Sequence, residues 1–213
     1  MSVYFTSFYP LRCTKSGLEA VEKYSFPEYI DGSCRREPDF QNDHPCITGL
    51  CRPGFSKKLQ KGDKIIYTTN KMGVGTRKLV AILEVERIIE GHRDAADWYI
   101  EHDYSLPNNL MVQENKPYPL EQTHKMGGWN NWVDDSGSLS GWDNGYIKRS
   151  TESSIVAICH IWGNHKYLEN PPEMTNEDLD KIFKRIPGTR TPPKLTPEEE
   201  KHFFEWLFTI KAN

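Results

Sequence analysis

Long apolar runs are absent from this sequence. A helix that crosses a bilayer needs about 20 predominantly apolar residues, and neither such a run nor a basic-then-apolar leader after Met1 is present. We therefore expect a cytoplasmic protein with no membrane contact. Cysteines are also few: the five present are irregularly spaced, which indicates free thiols in a reducing compartment rather than a disulfide framework.

Two common nucleotide-binding signatures and any strong excess of charge are missing as well. No G-x-G-x-x-G follows a predicted strand and no G-x-x-x-x-G-K-[ST] occurs, so standard dinucleotide and P-loop sites are poor interpretations. The net charge of -3 does not suggest a general polyanion binder. Contact with nucleic acid would therefore require a local basic face. Aromatic residues, in contrast, make up 12% of the chain, which argues against disorder.

The stretch 61–88 has the clearest pattern in the chain. Residues 64–69 are rich in β-branched and aromatic side chains, which suit a pleated, half-buried surface, and residues 79–86 have the pattern of a second strand. Between them, Gly73 and Gly75 suit a hairpin loop. Further strands are predicted at 2–9 and 154–162. The hairpin is the centre of a small, strongly bent sheet in this interpretation.

Helical patterns follow at 92–102, 177–185 and 196–210. Thr175 or Asn176 can cap the second helix, and Thr196 before Pro197 marks the start of the third. Strands that come first and helices that come last predict an α+β fold rather than βαβ alternation. We expect one domain over residues 1–168 and a helical C-terminal extension over residues 169–213.

Several short motifs carry a resemblance to a known family. They are Asp31-Gly32, the run 45–53 that ends in Cys51-Arg52-Pro53, the lysines at 57, 58 and 61, Gly62-Asp63 before a strand, and a late strand that ends at 160–163. This pattern resembles the nucleotide-modification-associated domain families, which are similar to the PUA-like and EVE-like superfamily. The resemblance implies a bent, mixed β-sheet pseudobarrel with flanking helices. It also implies recognition of a nucleotide or modified base, in a phage or defence context.

The insert at 127–146 places tryptophans among glycine, asparagine and serine. Aromatic faces on loops stack with bases, each stack contributing about 1–3 kcal/mol, and an extruded base can be sandwiched between them. Trp129 and Trp132 are the candidates for such stacking. The alternative is that these residues plug the open end of the sheet, because tryptophan is usually largely buried.

Polar and basic side chains supply the remaining candidate ligand contacts. Arginine presents a planar fork of donors that suits phosphate, and the loop before the hairpin is rich in it. The candidates for phosphate are Arg12, Arg35, Arg36 and Arg52, and those for reading the polar edges of a base are Asn70, His160 and Asn164. Trp162 is a further candidate for ligand binding. The alternative for the basic set is a solvated face balanced by nearby acids. No cofactor is expected.

Two other classes of function stay open. An enzyme that hydrolyses or transfers a nucleotide or modified base would use Cys51 with His44 or His160, since a thiol nucleophile needs a base within reach. Zinc is a poor alternative, because Cys34, Cys46 and Cys51 lack the usual tight spacing. An interaction protein, with a partner or a second copy, would use the apolar face of the last helix, with Phe203, Phe204, Trp206 and Leu207.

Overall fold

The structure is a computed structural model that describes residues 1–33, 35–70, 76–116, 141–183 and 191–211. Its described strands are β1 (Val3–Phe8), β2 (Cys46–Ile47), β3 (Lys64–Thr69), β4 (Arg77–Glu90), β5 (Ile155–Lys166) and β6 (Glu173–Met174). The helices are α1 (Lys15–Tyr24), α2 (His92–Glu101), α3 (Gly141–Glu152), α4 (Asn176–Ile182) and α5 (Pro197–Lys211). Two 3-10 turns, Leu11–Cys13 and Ser56–Lys58, lie in the connections.

The strands form one mixed sheet in the order β1-β3-β4-β5-β2, with β6 paired to the start of β4. β1 and β3 are parallel, with Val3 opposite Lys64 and Phe8 opposite Thr69. The other pairs are antiparallel. Shifts of register in the β3–β4 and β4–β5 pairs mark bulges, which bend a strand and increase its twist. The sheet is curled into a half-barrel.

The inner face of the sheet packs against the long loops that precede β3. Alternate residues of β3 and β4, such as Ile65, Tyr67 and Leu83, join one buried cluster with Phe40 and Phe55 from those loops. Packing therefore holds these loops in place, although β2 is the one regular element within the described residues 35–55. This inner cluster forms the floor beneath the polar loops described below.

The outer face is covered by the C-terminal helices. Phe203 and Leu207 of α5 are 0% and 1% exposed and pack with Phe5, Ile66 and Ile82 of the sheet. The segment before α5 also pairs with the free edge of β1, since the amides of residues 5 and 195 donate to the carbonyls of residues 193 and 3 at 3.0 and 2.8 Å. The helical extension thus packs on the sheet and contributes to its core.

These observations confirm the α+β fold, the bent mixed sheet of pseudobarrel type, the flanking helices and the C-terminal helix. The predicted hairpin is present as β3 and β4, while Gly73 and Gly75 in its loop lie outside the described residues. Among those that are described, no helix combines the length and apolar character needed to cross a membrane.

Part of the insert at 127–146 differs from its prediction as an irregular segment. Residues 127–140 lie outside the described part of the chain, but α3 already begins at Gly141. Its Tyr146 is 2% exposed and packs with Leu11, Ala20 and Leu50. Packing of this kind overrides the weak helical propensity of a sequence with glycine, asparagine and aspartate.

The packing of α5 predicts two very different mutational effects on one helix. Phe203→Ala removes a side chain that is 0% exposed and should lower the free energy of unfolding by about 3–5 kcal/mol. Phe208→Ala, where the side chain is 67% exposed, should change it by less than about 0.5 kcal/mol. Equal effects in urea unfolding would show that α5 does not share the core of the sheet.

Candidate functional site

Several polar segments converge where β1 ends. Pro10 has no amide proton and cannot extend the ladder, so the chain leaves the sheet there. The amide of Asn70, just after β3, donates to the carbonyl of Phe8 at 2.9 Å. On the other side, Pro10 forms a bridge with Asp31, and the amide of Leu11 donates to the carbonyl of Ile30 at 3.1 Å. The end of β1 is therefore flanked by two segments distant in sequence.

Ser7 is the anchor of this region. It is 1% exposed, and its hydroxyl donates to Oδ1 of Asn70 at 2.9 Å. Its backbone carbonyl accepts a hydrogen bond from Nη2 of Arg52. One serine thus orients an amide from β3 and a guanidinium from the loop before β3. We call Ser7, Asp31, Arg52 and Asn70 the β1-end site.

Arg52 retains most of its hydrogen-bonding capacity. A guanidinium carries five N–H donors and no acceptor, and among the described residues Arg52 donates only to Ser7. The residue is partly exposed. The amide NH2 of Asn70 likewise has no hydrogen-bond partner in the part of the chain that the structure describes. The site therefore offers a fixed cation and a fixed neutral donor with free N–H groups.

The carboxyl of Asp31 adds an acceptor whose pKa is raised. Burial raises the pKa of Asp31 above its ordinary value, although hydrogen bonds from Ser33 and the positive charges of Arg36 and Arg52 oppose this effect. Its Oδ1 accepts from the amide of Ser33 at 2.9 Å and from the hydroxyl of the same residue. Because burial is the largest cause, desolvation outweighs the nearby cations here.

A second buried carboxyl, that of Glu37, holds the surrounding loops together. Oε1 accepts from the amide of Thr48 and Oε2 from its hydroxyl, both at 2.5 Å, and Oε2 also accepts from Nδ2 of Asn109 at 2.7 Å. Asn109 donates in addition to the carbonyl of Cys46 at 2.9 Å. The pKa of Glu37 is raised to about 7, chiefly by burial and to a smaller extent by the charge of Asp31.

The other three predicted arginines are engaged in structural contacts. Arg35 is 2% exposed and donates from Nη1 to the carbonyls of Asn108 and Asn115 at 3.1 and 2.7 Å. Arg36 donates to Gln41, and its guanidinium lies 4.3 Å from the ring centroid of Phe26. Arg12 forms an exposed ion pair with Glu28. Among the predicted phosphate ligands, Arg52 is partly exposed and its described side-chain hydrogen bond goes to a backbone carbonyl, whereas Arg35 and Arg36 are buried and Arg12 is paired with an acid.

The candidates on β5 lie apart from the β1-end site. Ala157 and Cys159 belong to the inner cluster, whereas Trp162 packs with the outer one. The ring of Trp162 is stacked on His165 at 5.2 Å, and Nζ of Lys64 lies 5.6 Å from its centroid. Trp162 thus packs against neighbouring side chains, and its predicted contact with a ligand stays a prediction.

Two further residues of β5 had been predicted as readers of a base, and two tryptophans as its stacking partners. His160 is partly buried opposite Glu84 on β4, and Asn164 is exposed after Gly163. Trp129 and Trp132 lie outside the described residues, so their predicted stacking stays a prediction.

The predicted thiol chemistry gains no geometric support. Cys51 is exposed at the surface, but desolvation of its thiol by neighbouring protein atoms raises the thiol pKa, and the charges of Asp31 and Glu37 raise it as well. Because the thiolate is the nucleophile, a raised pKa disfavours nucleophilic attack by this residue. His44 stacks on Tyr104 with ring centroids 3.9 Å apart. No hydrogen bond joins Cys51 to His44 or His160 among the described residues.

The described residues contain no candidate cluster of metal ligands. Among the residues that the structure describes, no three histidine, cysteine, aspartate or glutamate side chains lie close enough to hold a metal ion. Cys46 is buried and contacts Oδ1 of Asn109 at 3.2 Å. Cys34 lies outside the described residues.

The sequence prediction did not select Ser7, Asp31 or Glu37 as site residues. Ser7 was missed because it is one small polar residue in a strand whose neighbours are aromatic. Its position three residues before Pro10, where the strand must end, was the available indication that it lies at the end of β1. Asp31 and Glu37 resembled solvated loop acids, and the hydrogen bonds of Glu37 come from Thr48 and Asn109, which are distant in sequence.

Comparison with known proteins gives a weak likeness in shape. No family model and no curated protein matches the chain. A crystal structure of ASCH from Zymomonas mobilis matches with 9% identity and a TM-score of 0.41, covering 96% of this chain and 94% of that one. A serine-to-alanine variant of the same protein matches with 10% identity and a TM-score of 0.44, covering 96% of both chains. These values establish neither a family nor a shared activity.

The raised pKa of Glu37 predicts a specific pH dependence of stability. Between the ordinary pKa of 4.5 and the folded value of about 7, the unfolded chain ionises first, so stability falls as pH rises. Relative to Glu37→Gln, the wild-type free energy of unfolding should therefore decrease by about 3 kcal/mol from pH 4 to pH 8.

Urea unfolding at several pH values measures this difference. Glu169→Gln, at an exposed glutamate, is measured in parallel as the control for the same replacement. A constant difference between wild type and Glu37→Gln would show that Glu37 ionises as an ordinary carboxyl.

Proposed function

We propose that this protein binds a nucleotide, or a base extruded from nucleic acid, in the β1-end site. The observation that carries the proposal is the state of Arg52. It is held in place by the carbonyl of Ser7 and is partly exposed, with its remaining N–H groups free of described partners. A preoriented guanidinium with free donors suits an anion, and phosphate matches its planar fork.

The neutral part of the site supports recognition of a base. The amide NH2 of Asn70 is a donor, and the carboxyl of Asp31 accepts, or donates when it is protonated. Ser7 fixes Asn70 and Ser33 fixes Asp31, so both groups are oriented before a ligand arrives. The edge of a base carries a pattern of hydrogen-bond donors and acceptors. A base with the wrong pattern would leave buried polar groups without partners, which lowers its affinity. This arrangement therefore favours a ligand with both a polar edge and a phosphate.

Other parts of this proposal rest on the sequence. Stacking of the base on Trp129 or Trp132 follows from the composition of the insert. A modified base and a phage or defence context follow from the resemblance to the nucleotide-modification-associated domain families. Binding requires no catalysis, and the raised thiol pKa of Cys51 gives the enzyme alternative no support.

The partner surface on α5 is narrower than the sequence suggested. Phe203 and Leu207 are buried in the core, whereas Phe204 and Trp206 are partly buried. Phe208, which is 67% exposed, was not among the predicted contact residues. Association through this helix stays a proposal without an identified partner.

Loss of the Arg52 guanidinium should selectively weaken binding of the phosphate. In calorimetry, Arg52→Ala should bind nucleoside monophosphates, ordinary or methylated on the base, at least tenfold more weakly, because a hydrogen bond to a charged group contributes about 1.5–3 kcal/mol. The matching nucleosides, which lack phosphate, should bind both proteins alike.

Arg12→Ala is the matched control, since Arg12 is an exposed arginine paired with Glu28, and it should bind like wild type. Thermal stability of each variant is measured in parallel. The proposal fails if no nucleotide binds to the wild type, or if Arg52→Ala retains full nucleotide affinity.

A further inference from the structure

Exposed cations without acidic partners continue the surface around Arg52. Lys57, Lys58 and Lys61 are exposed, and within the described residues none of them lies in a salt bridge. Elsewhere, Lys64 pairs with Glu84 at 3.0 Å and Lys181 pairs with Glu177 at 2.8 Å. Three exposed lysines without a described salt bridge thus lie in the segment that also carries Arg52.

Contacts with α3 extend this surface on its other side. Nη1 of Arg149 donates to the carbonyl of Leu50 at 2.9 Å, and the hydroxyl of Ser153 donates to the carbonyl of Pro53 at 2.8 Å. Nζ of Lys57 donates to the carbonyl of Glu152 at 3.3 Å. The segment 50–57 therefore lies along α3. We call Arg52, Lys57, Lys58, Lys61 and Arg149 the basic strip.

The carboxylate of Glu152, the residue that Lys57 contacts, is not paired with the basic strip. The carboxylate of Glu152 is 62% exposed and lies 3.8 Å from Nζ of Lys148, its neighbour one turn back on α3. Lys57 instead contacts the backbone carbonyl of Glu152. Since the whole chain carries a net charge of -3, the strip is a local departure from the overall charge. These cations are therefore available to an anion outside the chain.

We infer that the ligand of the β1-end site is part of a polynucleotide strand, whose flanking phosphates lie along the basic strip. This inference rests on the proposed function. A free mononucleotide places its single phosphate at Arg52 and leaves the other four cations without an anion. A strand presents successive phosphates, and lysine and arginine contacts to them supply affinity that does not depend on sequence. The base at the β1-end site would then be unpaired.

The strip can be tested without changing the β1-end site. The double variant Lys57→Ala/Lys58→Ala removes two cations, and Lys181→Ala/Lys201→Ala removes two exposed lysines from α4 and α5. Fluorescence anisotropy with labelled single strands of about 12 nucleotides, one of RNA and one of DNA with the same sequence, measures affinity. Calorimetry with nucleoside monophosphates is run beside it.

The first double variant should bind the preferred strand about tenfold more weakly at low salt. Its slope of log affinity against log salt should be shallower by about 1.4, since each phosphate contact contributes about 0.7 for a single strand. Mononucleotide affinity should be unchanged, and the control double variant should resemble wild type. The strand that binds with higher affinity, RNA or DNA, shows which sugar the site prefers.

Gly54 offers a second test that removes no contact. It is exposed between Arg52 and Lys57, and a Cβ built there would meet no atom within 4 Å. Gly54→Glu should therefore preserve thermal stability and mononucleotide binding while it weakens strand binding. Gly54→Gln is the neutral control of equal size and should weaken strand binding less.

The outcomes separate this inference from the proposed function. Strand affinity equal to mononucleotide affinity, or unaffected by Lys57→Ala/Lys58→Ala and Gly54→Glu, would overturn the role of the basic strip while Arg52 still binds a nucleotide. If Arg52→Ala leaves both ligands bound as in wild type, the proposed function itself fails.

Discussion

The buried carboxyl of Glu37 is the interaction on which the arrangement of the loops depends. It joins residues 37, 48 and 109 through three hydrogen bonds, in a region where only the two-residue β2 supplies regular structure. Removing a carboxylate from water is unfavourable, and the raised pKa of Glu37 is the consequence. Glu37 and Thr48 are close in sequence to Asp31 and Arg52, so the hydrogen bonds between them join the two segments that carry these site residues.

The two faces of the sheet pack against different parts of the chain. The outer face is covered by α4 and α5, whose apolar side chains complete a core with β1, β3 and β4. The inner face supports polar loops, and the β1-end site lies where those loops meet the end of β1. The outer core and the proposed binding site therefore consist of different residues. An outer-face residue such as Phe203 can be altered without direct contact with Ser7 or Arg52.

Regular elements were predictable where a local pattern determines them. The β3–β4 hairpin has β-branched strands around a glycine-containing loop. The starts of α4 and α5 are marked by capping boxes, in which Thr175 pairs with Asp178 and Thr196 with Glu199. The strands β2 and β6 have two residues each, too few for any periodicity, and both depend on partners distant in sequence.

The candidate site was predictable only in part, for the same reason. Arg52 and Asn70 were selected by residue type, and the structure brings both to Ser7, while their role in binding remains a prediction. Trp162 was selected on the same grounds, and the structure packs it against His165 and Lys64, away from the β1-end site. Residue type shows which groups can bind, whereas tertiary contacts determine which of them remain free to do so.

The central claim is that Arg52, oriented by Ser7, receives the phosphate of a nucleotide. A crystal structure of the protein with a nucleoside monophosphate tests it most directly. We expect the phosphate within hydrogen-bond distance of the Arg52 guanidinium, about 2.7–2.9 Å for such charged pairs, with the base beside Asn70 and Asp31. A nucleotide bound elsewhere, with Arg52 still contacting only Ser7, would contradict the account.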